Sequence, residues 1–245
     1  MGAAWEEVKF KSADGTGLTG LWFPARGMPA KGVIVHFHGN GENMTSHYLF
    51  VYWLALEGYD VFSFDYRGYG ASEGSKSISG AIEDGAAALR LARGRAGGAR
   101  ERLIVIGQSL GGAIALASLD LDGGEGVRGL ILDSTFASYR AVARDKLNHV
   151  WLTWPFQYPL SYFLISERWA PKRLIARRKR VPLLMMHAVA DPVVPYAQGR
   201  RLYELAPGPK EFWKIAGTGH TAAFFTLGPQ YRPTTLAWLE RVLAD

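Results

Sequence analysis

The sequence predicts an α/β protein in which a mostly parallel sheet is flanked by helices. Two features carry that prediction. Short, largely apolar runs at residues 32–39, 60–65 and 103–106 read as buried strands, and they alternate with helical stretches joined by short loops. The second feature is Gly107-Gln108-Ser109-Leu110-Gly111, which joins the run at 103–106 to the helical sequence 112–118. This G-x-S-x-G pattern sits between strand and helix, the context in which its serine is forced into a strained turn and exposed.

Along the chain, residues 7–12 and 18–23 flank Asp14-Gly15-Thr16-Gly17 and predict an opening antiparallel hairpin. The strand at 32–39 ends in His38-Gly39-Asn40-Gly41. A helix is expected over 46–56, closed by Gly58. The strand at 60–65 runs into the loop 66–74, and 78–92 has the spacing of a long amphipathic helix. After the G-x-S-x-G turn, 127–132 is a strand ending at Asp133-Ser134-Thr135. A strand at 181–187 leads into Asp191-Pro192-Val193-Val194-Pro195, and a helix follows at 197–205. The strand at 211–215 precedes Gly219-His220, and a helix at 229–243 ends the series.

One segment breaks the alternation. From Phe136 to Arg180 no buried strand occurs, so 1–136 and 181–245 are expected to form one core and 137–180 an inserted cap. The insertion carries an aromatic run over 150–165 and then Arg173, Arg177, Arg178, Lys179 and Arg180. The run is too short for a membrane span, and Pro155 and Pro159 interrupt it.

Composition narrows the function classes. An apolar fraction of 48% and a charged fraction of 20% over 245 residues are those of one globular domain. The absence of cysteine excludes disulfides, thiolate zinc sites and cysteine nucleophiles. The first residues show neither a basic region nor an apolar core of a signal peptide, so a cytoplasmic location is expected. The net charge of +6 is partly the local cluster above. No nucleic-acid-binding module accompanies it, and no nucleic-acid partner is expected.

A serine hydroxyl becomes a nucleophile only when a base takes its proton, and a carboxylate holds that base in the right tautomer. Three histidines follow Ser109. His187 lies in an apolar strand and His149 in the insertion, whereas His220 lies in a Gly-rich loop after the last strand and is the candidate base. Asp191, in the loop after a buried strand, is the favoured acid; Asp133 also ends a strand and competes. The negative oxygen of a tetrahedral intermediate needs preorganised N–H donors. Leu110, after the serine, and Asn40, in the loop after the first buried strand, are placed to supply them. His38 is read as structural, with its backbone region serving the site, and Asp65 as structural too.

Taken together, His38-Gly39-Asn40-Gly41, the 64–72 segment, Gly107-Gln108-Ser109-Leu110-Gly111-Gly112, Asp191-Pro192 and Gly219-His220 resemble the α/β-hydrolase superfamily. Within it the chain looks like the serine aminopeptidase and monoacylglycerol-lipase-like group. The resemblance implies the α/β-hydrolase fold with a short cap after the sixth strand. It also implies a Ser109, Asp191, His220 triad, an oxyanion hole at Asn40 and Leu110, and neither metal nor cofactor. The activity expected is that of a serine carboxylesterase or lipase-like hydrolase acting on a small-molecule ester with a hydrophobic part. A thioesterase or peptidase using the same triad is the alternative, and a non-catalytic ligand-binding protein a remote one. If the cap covers the serine, Trp151, Trp154, Phe156, Tyr158, Tyr162 and Phe163 would line an apolar substrate pocket. A further reading joins these aromatics and the basic cluster into a membrane-surface patch.

Overall fold

Alternation within each buried strand sends side chains to opposite faces of one sheet, and each face is covered. In the computed structural model, which describes residues 4–27, 29–99, 102–148, 156–177 and 180–244, strands β3 (Val33–Phe37) and β5 (Leu103–Gln108) are buried along their whole length. Val33, Val35, Phe37, Leu103 and Val105 point into one core, with Leu116, Leu130 and Met185. Ile34, Ile104 and Ile106 point into the other, with Ile131, Leu184, Trp238 and Leu239. That is the side-chain period of two in a sheet wrapped on both sides, and it is why these runs show no polar alternation.

Eight strands form the sheet in the order β1-β2-β4-β3-β5-β6-β7-β8. The opening hairpin β1 (Glu6–Lys11) and β2 (Gly17–Phe23) is antiparallel, and β2 pairs antiparallel with β4 (Asp60–Phe64). From β4 onward, through β3, β5, β6 (Val127–Asp133), β7 (Leu183–Ala190) and β8 (Lys210–Thr218), every pairing is parallel. Parallel strands present their carboxyl ends on one side, and ligands of open α/β sheets bind there.

Asn43, Met44 and their neighbours form a short first helix, α1 (Met44–His47), and α2 (Trp53–Leu56) follows after a tight turn. The single helix expected at 46–56 is therefore broken. Val51 leaves helical geometry at φ −128°, and Gly58, at φ +92°, supplies the left-handed stop. The long helices are α3 (Ile78–Arg95) and α4 (Leu110–Asp122), packed side by side, with α8 (Tyr196–Leu205) and α9 (Gly228–Ala244) later in the chain. Ser77 caps α3 by accepting the Gly80 N–H, as a serine in extended conformation does. Between β6 and β7 lie only helices among the described residues: α5 (Tyr139–Asn148), α6 (Gln157–Leu164) and α7 (Pro171–Leu174).

Candidate active site

The turn after β5 is built by what its glycines leave out. A Cβ on Gly111 would come 2.1 Å from the Phe37 carbonyl oxygen, and one on Gly107 2.5 Å from the Gly112 Cα. Side chains at either position would push β5, β3 and α4 apart. The close approach forces Ser109, between β5 and α4, to φ 54° and ψ −119°, a conformation that costs a non-glycine residue roughly 1–3 kcal/mol. Its N–H donates to the Asp133 carbonyl at 2.8 Å, which ties the turn to the end of β6. The serine thus stands directly ahead of a helix N-terminus, where developing negative charge is favoured.

Two loops further along the sheet bring a histidine and a carboxylate together. His220 Nδ1 lies 2.8 Å from Asp191 Oδ2 and 3.1 Å from Oδ1. A carboxylate only accepts, so Nδ1 carries the proton and Nε2 is left as the basic nitrogen. Asp191 is itself fixed, its Oδ1 accepting the N–H groups of Val193 and Val194 at 2.8 and 2.9 Å. Burial works against the charged form of this carboxylate, but the His220 and Val194 hydrogen bonds outweigh it and hold the group below its ordinary value. His187 also approaches Asp191, at 3.6 Å, but its Nε2 donates to the Val194 carbonyl at 3.0 Å instead. It is fully buried in β7, and that burial lowers its affinity for a proton.

Asp133 is not on the His220 ring. It is buried beneath the site, and burial pushes its carboxyl up to about 7. Ser134, at φ 54°, donates to Asp133 Oδ1 at 3.2 Å and accepts the Thr221 N–H at 3.1 Å, so β6 holds the residue next to His220. The neighbouring row is linked by hydrogen bonds too. His36 Nε2 donates to Gln108 Oε1 at 2.9 Å, which leaves Nδ1 to accept from the Ser63 hydroxyl at 3.0 Å. His38 donates from Nδ1 to the Gly39 carbonyl, and its Nε2 faces Asp65 Oδ1 at 3.3 Å. Asp65 accepts the Met44 N–H, and the Tyr69 hydroxyl donates to the Asn40 side chain at 2.7 Å, so Asn40 is held by the loop after β4.

Ser109, Leu110, Asn40 and His220 line one cleft of about 600 Å³ at the carboxyl ends of the strands. A Cβ on Gly39 would lie 3.6 Å from Ser109 Cβ, so the loop after β3 runs beside the serine. The cleft walls are Phe136, Tyr139, Val142, Ala143, Ile165, Val193 and Val194, with Glu42 and Lys146 as charged side chains. The expected pocket aromatics are placed elsewhere. Tyr158, Tyr162 and Phe163 line a separate groove with Arg140 and Arg144, and Phe156 is exposed, because α6 packs outside α5 and not over the serine. Trp151 and Trp154, like His149, lie outside the described residues. Sequence reasoning missed the wall that α5 supplies. Tyr139, Val142, Ala143 and Lys146 are spaced i, i+3, i+4, i+7, the signature of one helix face, and that spacing could have found them. Among the described residues no group of three or more histidine or acidic side chains could hold a metal ion.

Comparison with known proteins agrees with this architecture. The model of the family described as "Serine aminopeptidase, S33" matches residues 28–172. The "Uncharacterized protein YfhR" of Escherichia coli (strain K12) is 38% identical over 222 residues, which span 89% of this chain and 74% of that one. The "Lysophosphatidylserine lipase ABHD12" of Danio rerio is 31% identical over 229 residues, 90% of this chain and 56% of the relative. Among solved structures, the Pyrococcus furiosus esterase Pf2001 superposes with a TM-score of 0.77 at 20% identity, covering 98% of this chain and 92% of that one. A family match over more than half the chain, and a relative this similar over most of its length, place the sequence: the chain belongs to the α/β-hydrolase superfamily, in the serine aminopeptidase S33 family, and is a hydrolase by descent and fold.

Proposed function

We propose that this hydrolase cleaves carboxylic esters with a hydrophobic part through an acyl-enzyme formed on Ser109. The observation that carries the reading is the Asp191–His220 pair at the cleft that holds Ser109. In this mechanism His220 Nε2 takes the Ser109 proton as Oγ attacks the ester carbonyl. Asp191 holds the tautomer and stabilises the imidazolium. The backbone N–H groups of Asn40 and Leu110 receive the oxyanion, each worth about 3 kcal/mol of barrier where such donors have been removed. His220 then protonates the departing alcohol, and a water, deprotonated by the same nitrogen, releases the acid.

The substrate class follows from the cleft walls. Phe136, Val142, Ile165, Val193 and Val194 offer apolar surface beside the serine, suited to an acyl or alkyl chain. The name of the Danio rerio relative, a lysophosphatidylserine lipase, supports an ester of a lipid. Peptide cleavage by the same residues is the second reading, favoured by the description of the matched family. A ladder of p-nitrophenyl esters from acetyl to palmitoyl, run beside aminoacyl p-nitroanilides and an acyl thioester, separates them. Ester turnover that disappears in Ser109→Ala is expected; cleavage of the anilides or the thioester alone would displace the ester reading.

A further inference from the structure

The outer face of the β6–β7 segment is not finished as a water-facing surface. Phe156, Tyr158, Tyr162, Phe163 and Leu164 are 57%, 66%, 62%, 81% and 72% exposed, five large apolar side chains within nine positions on or beside α6. Single exposed apolar residues are ordinary; a contiguous cluster of this size marks a contact. Beside it runs a groove lined by Arg140, Arg144, Lys172 and Arg173. Arg140 stacks over Tyr162 at 4.4 Å and Arg144 over Tyr158 at 5.2 Å, so cations and rings share one edge. The acid of the groove, Glu167, is buried and committed to Lys172, the Ser138 hydroxyl and the Arg140 N–H. What faces outward is apolar and positive.

The same segment touches the cleft. Along α5, Tyr139, Val142, Ala143 and Lys146 line the cleft while Arg140 and Arg144 line the groove, and Ile165, just after α6, is again a cleft residue. A surface resting on α6 therefore lies beside the entrance to Ser109. We infer that α6 and its basic groove dock on an anionic lipid surface, from which amphiphilic esters enter the cleft. Aromatic and long aliphatic side chains flanked along one edge by arginine and lysine have the composition of an interfacial helix. Among the described residues no helix is long and apolar enough to cross a membrane, so this contact is with the surface. A second copy of the chain fits less well, because an isologous pairing of this face would set the two cation groups against each other. Delivery of esters rests on the function proposed above; docking does not.

The test is co-sedimentation with vesicles of phosphatidylcholine alone and with about a third phosphatidylglycerol. It uses the wild type and the double variant Phe163→Ser, Leu164→Ser, whose side chains are exposed and outside the cleft. The wild type should bind the anionic vesicles and be released as salt rises from about 0.05 to 0.5 M. The double variant should bind at least about tenfold more weakly while hydrolysing p-nitrophenyl acetate at the wild-type rate. Absent binding to anionic vesicles, or unchanged binding by the variant, overturns the inference. So does a dimer in size-exclusion chromatography that the double variant dissociates, which would make this face a contact between copies. If neither protein cleaves the acetate ester, the proposed function fails and the vesicle arm still decides docking.

Discussion

Ser109, His220 and Asp191 come from three loops separated by long stretches of chain, and each is fixed by a different local cause: a glycine-cleared turn, a carboxylate partner, and a pair of backbone N–H groups. With the proposed roles, Ser109→Ala or His220→Ala should each lower ester turnover by about a millionfold with little change in the thermal unfolding midpoint, read by steady-state kinetics and circular dichroism. The two candidate acids separate cleanly. Asp191→Asn should cost about 10⁴-fold through the wrong histidine tautomer, whereas Asp133→Asn should leave turnover within about tenfold, because the His220 Nδ1 hydrogen bonds go to Asp191 and not to Asp133. Asp133 acts on stability instead. Burial raises its carboxyl from 3.8 to about 7, so between those values the folded chain holds a proton that the unfolded chain has released. Stability therefore falls as pH rises from about 4 to 7, by up to about 4 kcal/mol, and stays lower above that window. Asp133→Asn should flatten this dependence and raise the unfolding midpoint at pH 8 more than at pH 4; an unchanged pH profile of unfolding would refute the assignment.

At the scale of elements, the parts legible in the sequence are those whose signal is local. Largely apolar runs announced β3, β4 and β5, and G-x-S-x-G announced the turn because only glycine survives contacts as short as 2.1 Å. The break between α1 and α2 was not legible, since 46–56 has helical composition, and the chain departs from it where Tyr48 settles against Phe23 of β2 and Trp53 against Phe224, ahead of α9. Nor was the burial of Asp84, which lies on α3 fully enclosed and bonded by the Arg67 N–H and guanidinium. That ion pair pins the loop after β4 to α3, and with it Tyr69, which holds Asn40. Removing Arg67 would leave a buried carboxylate without its partner, so Arg67→Ala should lose about 3–5 kcal/mol of stability in urea unfolding. Gly111→Ala, which drives a methyl into two carbonyl oxygens, should lose about 1–3 kcal/mol and lower turnover through displacement of Ser109.

Across the whole molecule, the loops at the carboxyl ends of β3, β5, β7 and β8 converge on one cleft, and the order of motifs along the chain was enough to foresee which residues would meet there. What the order could not supply is the packing of the β6–β7 segment. Its aromatic run suggested a pocket lining, but whether a short helix turns its rings inward depends on what its neighbours leave open, and α5 already occupies the wall of the cleft. Phe156, Tyr158, Tyr162 and Phe163 are left at the surface, where the docking proposed above would use them. Whether Ser109 is the nucleophile is decided by covalent trapping: incubation with diisopropyl fluorophosphate, which loses fluoride as serine Oγ bonds to phosphorus, followed by peptide mass spectrometry. One phosphoryl group per chain, located on Ser109, formed slowly in His220→Ala and absent in Ser109→Ala, is the predicted result. An unlabelled chain, or label on another residue with esterase activity lost in step, would contradict it.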